Sequence, residues 1–158
     1  MIWLIALLVT LVYAPFAEYV AHRWMMHKPF GSMKTYWKEH AIEHHAKGRN
    51  DINIYLDALS VVYGSYTLLL FSFFLGLPWV IALLVFSILY AALWSSIHAA
   101  HHELRDSWAT RLSIYKIWRN HHLLHHKDTA TNYGTVFIFM DTLFGTRFRA
   151  KANGTLSA

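Results

Sequence analysis

The sequence predicts an all-α integral membrane protein, in which about three transmembrane helices carry a histidine-rich helical cap on the cytoplasmic side. Three observations predict it. Long stretches contain no charged residue, twelve histidines fall into tight clusters around those stretches, and all fourteen Lys and Arg residues lie outside them. Apolar residues make up 56% of the chain, with ten Phe, nine Tyr and seven Trp, which is richer than a soluble domain normally is. A chain of 158 residues has room for one domain, 1–158, and no soluble core large enough to hide such stretches.

The first span covers residues 1–21. "MIWLIALLVTLVYAPFA" runs uncharged from Met1 to Ala17, and no Lys or Arg precedes Arg23, so the basic start of a secretory signal is missing. A retained membrane helix is the reading, with Pro15 placed to kink it near its end. Segment 22–57 is polar and holds "HRWMMH" (22–27) and "HAIEHH" (40–45). Residues 58–75 and 78–97 carry no charge, and each is long enough to cross about 30 Å of hydrocarbon as a helix. Gly76 and Pro78 mark a tight reversal between them. Segment 98–147 holds "HAAHH" (98–102) and "HHLLHH" (121–126), and 148–158 is a loose tail. "VFIFMDTLFG" (136–145) is apolar but too short to span, and reads as an interfacial or re-entrant piece.

Charge placement sets the topology. With one span at 1–21 and a hairpin at 58–97, segments 22–57 and 98–158 fall on the same side, and every Lys and Arg falls there with them. The positive-inside rule makes that side cytoplasmic. The net charge of +5 is therefore largely a topology signal, and no basic recognition helix points to nucleic acid. The absence of Cys removes thiolates from any metal site.

All twelve histidines then face one side of the bilayer. His40 and His44, His98 and His102, His121 and His125, and His122 and His126 are each four apart, so each pair points one way from a helix and can share or straddle a metal. His22 and His27 are five apart and diverge on an ideal α-helix; they need a bend, or serve different ions. Neutral imidazole is a good ligand for iron, zinc, copper and nickel. So many imidazoles exceed what one metal takes, which implies two ions. Glu39, Glu43, Glu103, Asp106 and Asp128 adjoin the clusters and suit orienting imidazole N–H groups better than ligation.

These motifs resemble the membrane fatty acid hydroxylase and sterol desaturase superfamily, which includes small bacterial carotenoid hydroxylases. "HRWMMH" resembles its first histidine box, "HAIEHH" its second and "HLLHH" its last, while "NYG" (132–134) and "DTLFGT" (141–146) look like its closing motif. The resemblance implies a diiron centre, with zinc as a substitute after overexpression. Its implied ligands are His22, His27, His40, His44, His45, His98, His102, His122, His125 and His126. His101, His121, Glu43, Glu103, Asp128 and Asn132 are left as outer hydrogen-bonding groups or alternative ligands. Many members have two residues between the first histidine of the second box and its pair; here there are three. The implied activity is oxygen-dependent hydroxylation of a C–H bond in a membrane lipid, or its desaturation. The implied partners are the lipid, dioxygen and a separate electron carrier, in a bacterial inner membrane, while three spans make a thin bundle that a homodimer would help bury. A zinc hydrolase and a metal-binding protein without catalysis are the rival classes.

Overall fold

The structure is a computed structural model that describes residues 1–29, 31, 34–47, 70, 72–103 and 107–148. Among these residues it is all-α. Helix α1 (Ile2–Val20) runs without a break into a π-helical segment, Ala21–Met26. Helix α2 (Lys34–Trp37) likewise continues as a π-helix, Lys38–Ala46. Helix α3 is Leu77–His101, followed by a 3-10 turn at Trp108–Arg111, helix α4 (Tyr115–Lys127) and the short α5 (Phe139–Leu143).

Two of these helices, Ile2–Met26 and Leu77–His101, are long and apolar enough to cross a membrane, at 25 residues each. That length is about 37 Å, against about 30 Å of hydrocarbon. The span expected at 58–75 lies outside the described residues, save residue 70 and residues 72–75. Gly76 takes a φ of 97°, open to glycine without strain, and Pro78 follows in the first turn of α3, where its missing N–H has no helical acceptor to lose.

Helices α1 and α3 pack through small side chains. Ala6, Thr10, Ala14, Ala17 and Ala21 are buried at intervals of three or four residues, a stripe that lets two backbones approach closely. Across from it, Ala82 and Leu83 join Ala6 in one cluster, while Tyr90 and Ala91 join Ala14 in another. The Thr10 hydroxyl satisfies itself within the helix by donating to the Ala6 carbonyl at 2.8 Å. Trp3, Leu4, Leu8, Leu11, Val12 and Phe16 point outward and are exposed. In water this face would be a large apolar patch; in lipid it is solvated.

The π-helical segments correct one expectation. On an α-helix, residues five apart diverge. With i→i+5 winding they return to the same face. His22 and His27 therefore converge without a sharp bend, their ring centroids 5.1 Å apart. In the second box His40 and His45 share a face, their Nε2 atoms 3.1 Å apart, while His44 turns elsewhere. The additional residue of that box is thus absorbed as π-winding.

Candidate metal centre

Four segments deliver the imidazoles: the π-turn after α1, the π-helix after α2, the last turn of α3, and α4. They form two groups. His22, His27, His40, His45 and His125 bring one nitrogen each within 4.8 Å of one another, and so do His44, His102, His122 and His126. The groups adjoin, with the rings of His45 and His126 4.1 Å apart. His98 flanks the second group, its ring 4.7 Å from His122 and 5.4 Å from His44. The four-residue pairs behave differently from one another: His122 and His126 share a group, whereas His40 and His44 straddle the two.

The spacing inside each group is informative. The His40 Nε2 lies 3.0 Å from the His22 Nε2 and 3.1 Å from the His45 Nε2. The His122 Nε2 lies 2.8 Å from the His102 Nε2 and 3.1 Å from the His126 Nε2. One ring nitrogen carries either one proton or one in-plane lone pair, so it cannot satisfy two neighbours at once. A cation between them can. The donor set therefore fits two ions, the first offered five imidazoles and the second four.

Backbone carbonyls aim the rings. The His22 Nδ1 donates to the Tyr133 carbonyl at 2.5 Å, and the His125 Nδ1 donates to the Thr131 carbonyl at 2.6 Å. A carbonyl only accepts, so each Nδ1 carries the proton and each Nε2 presents its lone pair to the first group. The His125 Nε2 faces the His27 Nε2 at 3.0 Å. The Tyr133 carbonyl belongs to "NYG" and Thr131 immediately precedes it, so this stretch acts in the site through its backbone.

That motif is itself held by two buried carboxylates. Asp141 accepts from the backbone N–H groups of Tyr133 (2.8 Å) and Gly134 (2.7 Å), from the Thr146 hydroxyl (2.7 Å), and from the His121 Nε2 (2.9 Å). Burial alone would raise the Asp141 carboxyl, but these hydrogen bonds outweigh it and hold it below the usual range. Gly134 is required by close approach: a Cβ there would meet the Phe137 carbonyl oxygen at 2.8 Å. Glu18, one turn before His22, accepts from the N–H groups of Thr135 and Val136 (the latter at 2.9 Å) and from the Tyr90 hydroxyl. It joins α1, α3 and the closing segment at one point. Glu18→Ala leaves two buried N–H groups unpaired, at about 1–3 kcal/mol each, and lowers the thermal midpoint in detergent. Glu18→Gln keeps an acceptor for both, and its amide meets a Tyr90 hydroxyl free to rotate; its midpoint stays close to that of the unsubstituted chain. Equal losses in the two variants would contradict this assignment.

The remaining outer groups divide. His121 lies outside both imidazole groups and bonds Asp141, while Asn132, at a φ of 55°, donates to the His121 backbone carbonyl rather than to an imidazole. His101 is fully buried beside His122, its ring 5.1 Å away, and outside both groups. Glu43 pairs with Lys47 at 2.8 Å. Glu103 pairs with Arg119 at 2.6 Å on the surface, and Asp128 accepts from the Ala130 N–H in the turn that ends α4. Asp106 lies outside the described residues. Sequence reading missed both Glu18 and Asp141. Their signal was present: Glu18 is the single acid within residues 1–21, and Asp141 is the single acid in an apolar run.

Burial, then the neighbouring imidazoles, push His40, His122 and His125 well below the ordinary histidine range. The same causes, burial first, bring His102 to about 3 and His126 to about 4. The site is thus neutral and ready to ligate at neutral pH. The sign for stability follows. Below about pH 6.5 the unfolded chain takes up protons that folded His126 and His102 refuse until about pH 4 and 3, so the unfolded state binds more protons. The metal-free protein is therefore expected to lose stability progressively as pH falls through that window, read as a falling unfolding midpoint. A flat profile from neutrality to pH 5 would contradict it.

Comparison with curated proteins and with solved structures gives no match. The model of the family described as "Fatty acid hydroxylase" matches residues 7–146, a range that includes Glu18, every imidazole of both groups and the closing motif. With the family's histidine boxes folded into two adjoining imidazole groups beneath apolar helices, the chain belongs to the fatty acid hydroxylase family.

Proposed function

We propose that the protein is an oxygen-dependent diiron hydroxylase that acts on a C–H bond of a membrane lipid, with electrons from a separate carrier. The observation that carries this reading is the gathering of nine imidazoles, with no thiolate, into two adjoining groups, a donor set suited to a pair of ions. Bound there, iron would supply the reductive activation of dioxygen needed to oxidise an unactivated C–H bond.

The chain's own residues do the rest. His22, His27, His40, His45 and His125 hold one ion, and His44, His98, His102, His122 and His126 hold the other. The Tyr133 and Thr131 carbonyls fix two of these rings, and Asp141 fixes the loop that carries the carbonyls. Trp94, fully buried with its ring 4.8 Å from that of His98, helps close the space between the spans and the imidazoles against water. The positive side of the spans is cytoplasmic, where a reduced carrier is available, and the lipid-facing sides of α1 and α3 give an acyl or isoprenoid chain a lateral route.

The test is turnover in bilayer discs with a chemical or enzymatic electron source, under isotopically labelled dioxygen, with fatty acyl, sterol and carotenoid substrates. The expected product carries one labelled oxygen as hydroxyl. An unlabelled double bond would move the reading to desaturation. Product formed without oxygen or electrons would overturn it in favour of zinc-dependent hydrolysis.

A further inference from the structure

The chain doubles back on α3 after leaving it. The Ser107 Oγ lies 3.4 Å from the Ser96 Oγ, and Ala109 is fully buried in the cluster that contains Trp94, Ile97 and Ala100. Ser96 stands five residues before the end of α3 at His101, which is about 7–8 Å of helix. The 3-10 turn Trp108–Arg111 therefore lies alongside the last turns of a helix long enough to span, not below its end. Its start is closed locally, the Ser107 Oγ accepting from the Ala109 N–H at 3.2 Å.

The inner side of this segment is anchored by Ala109 and by Tyr115, whose ring lies 5.5 Å from that of His101. The outer side is apolar. Trp108 and Ile117 are each 56% exposed, with Leu112 and Ile114 exposed between them. Exposed Arg111 and Lys116 interleave with these side chains. A tryptophan and aliphatic residues mixed with basic ones is the composition of a segment lying in a membrane interface. Depth selects lipid over a soluble partner as the occupant, because Ser107 meets α3 at Ser96, at the end of the uncharged stretch 78–97, where a span reaches the headgroup layer.

We propose that residues 107–117 form an interfacial foot, seated in the phospholipid headgroup layer of the leaflet from which α1 and α3 emerge. Trp108 and Ile117 reach the acyl boundary, and Arg111 and Lys116 meet lipid phosphates. The proposal rests on the reading of α1 and α3 as membrane spans. Its consequence is positional. Helix α4 starts in the foot, and His122 follows Ile117 by five residues, about 7–8 Å along the helix. The foot thereby sets the height of both imidazole groups under the bilayer.

The chain has no cysteine, so single-cysteine variants report single places. Trp108→Cys and Ile117→Cys probe the foot, Ile88→Cys the exposed side of α3, and Thr129→Cys the far end of α4. Each full-length protein is labelled with an environment-sensitive fluorophore in discs of phosphatidylcholine and phosphatidylglycerol. It is then quenched with aqueous iodide or with lipids nitroxide-labelled at the headgroup or deep in the chain. The expected result is headgroup-nitroxide quenching at 108 and 117, with iodide quenching at least about threefold weaker than at 129. The label at 88 is expected to respond to the deep nitroxide. Iodide quenching at 108 and 117 equal to that at 129, with 88 still in lipid, overturns the foot and leaves the spans standing. Iodide access at 88 overturns the spans themselves. Shielding of 108 and 117 from both iodide and lipid would assign the surface to a protein contact and also overturn the proposal. Two foot positions are used so that a folding defect in Trp108→Cys leaves Ile117→Cys to decide.

Discussion

His40→Ala is expected to empty the first imidazole group while the second stays loaded, and to lower turnover by more than about 100-fold. The reason is local geometry. The His40 Nε2 stands between the His22 and His45 Nε2 atoms, at 3.0 and 3.1 Å, so its loss removes the nitrogen that both neighbours converge on. Removing an outer partner of a ligand costs about 10–100-fold in affinity or activity, and removing a ligand itself costs more. His102→Ala is the reciprocal case. Its Nε2 faces that of His122 at 2.8 Å in the second group, and the first group is left whole. Metal content per chain and the magnetic coupling between ions read both variants. Each should hold about one ion with the coupling lost, and the two residual spectra should differ. Retention of both ions with an unchanged spectrum in His40→Ala would contradict the assignment of five imidazoles to one ion.

The second large effect is expected at a residue that touches no metal. Asp141→Ala strips four donors of their acceptor: the N–H groups of Tyr133 and Gly134, the Thr146 hydroxyl and His121. Each buried donor left unpaired costs about 1–3 kcal/mol, so the closing segment loosens and the unfolding midpoint falls. With it go the Tyr133 and Thr131 carbonyls that aim His22 and His125, and affinity of the first ion drops by roughly 10–100-fold. Asp141→Asn is no remedy. Whichever way its amide turns, an NH2 meets the N–H of either Gly134 or Tyr133, donor against donor. Asp141→Glu keeps the charge but lengthens the side chain where Gly134 already approaches Asp141 closely. A titration of iron into the metal-free variants, followed by absorbance, measures the affinity. Unchanged affinity in both Asp141→Ala and Asp141→Asn would detach the closing motif from the metal site.

Much of this was legible in residue types and spacings. The first apolar helix and the one beginning near Gly76 and Pro78, both long enough to span, followed from uncharged length alone, because a helix in hydrocarbon needs about twenty apolar residues and little else. The gathering of imidazoles from separate segments was expected from the placement of the uncharged stretches, and the fold brings them into two adjoining groups. What the sequence concealed was winding. Nothing in "HRWMMH" or "HAIEHH" announces a π-helix, a rare winding found mostly as short bulges within α-helices, often at functional sites. Four-residue spacing left open whether His40 and His44 share a metal or straddle two; the fold groups His40 with His45 and places His44 in the other group. The second concealed feature was backbone chemistry. The closing motif was visible as a turn, but that the carbonyls of Tyr133 in it and of Thr131 just before it select the tautomers of His22 and His125 depends on where the chain returns in space. Carboxylates next to the histidines in sequence drew attention that Glu103 and Asp128 did not merit. The buried pair Glu18 and Asp141, one before and one far after the clusters, carries the support.

The most direct test of the central claim is the iron and zinc content of the purified chain, produced in an iron-supplied host without metal-affinity chromatography and paired with a spectroscopic reading of coupling. Two adjoining groups predict about two irons per chain with coupled spins. A chain that binds no metal, or holds two zinc ions that iron cannot displace and that support no oxygen consumption, would contradict it.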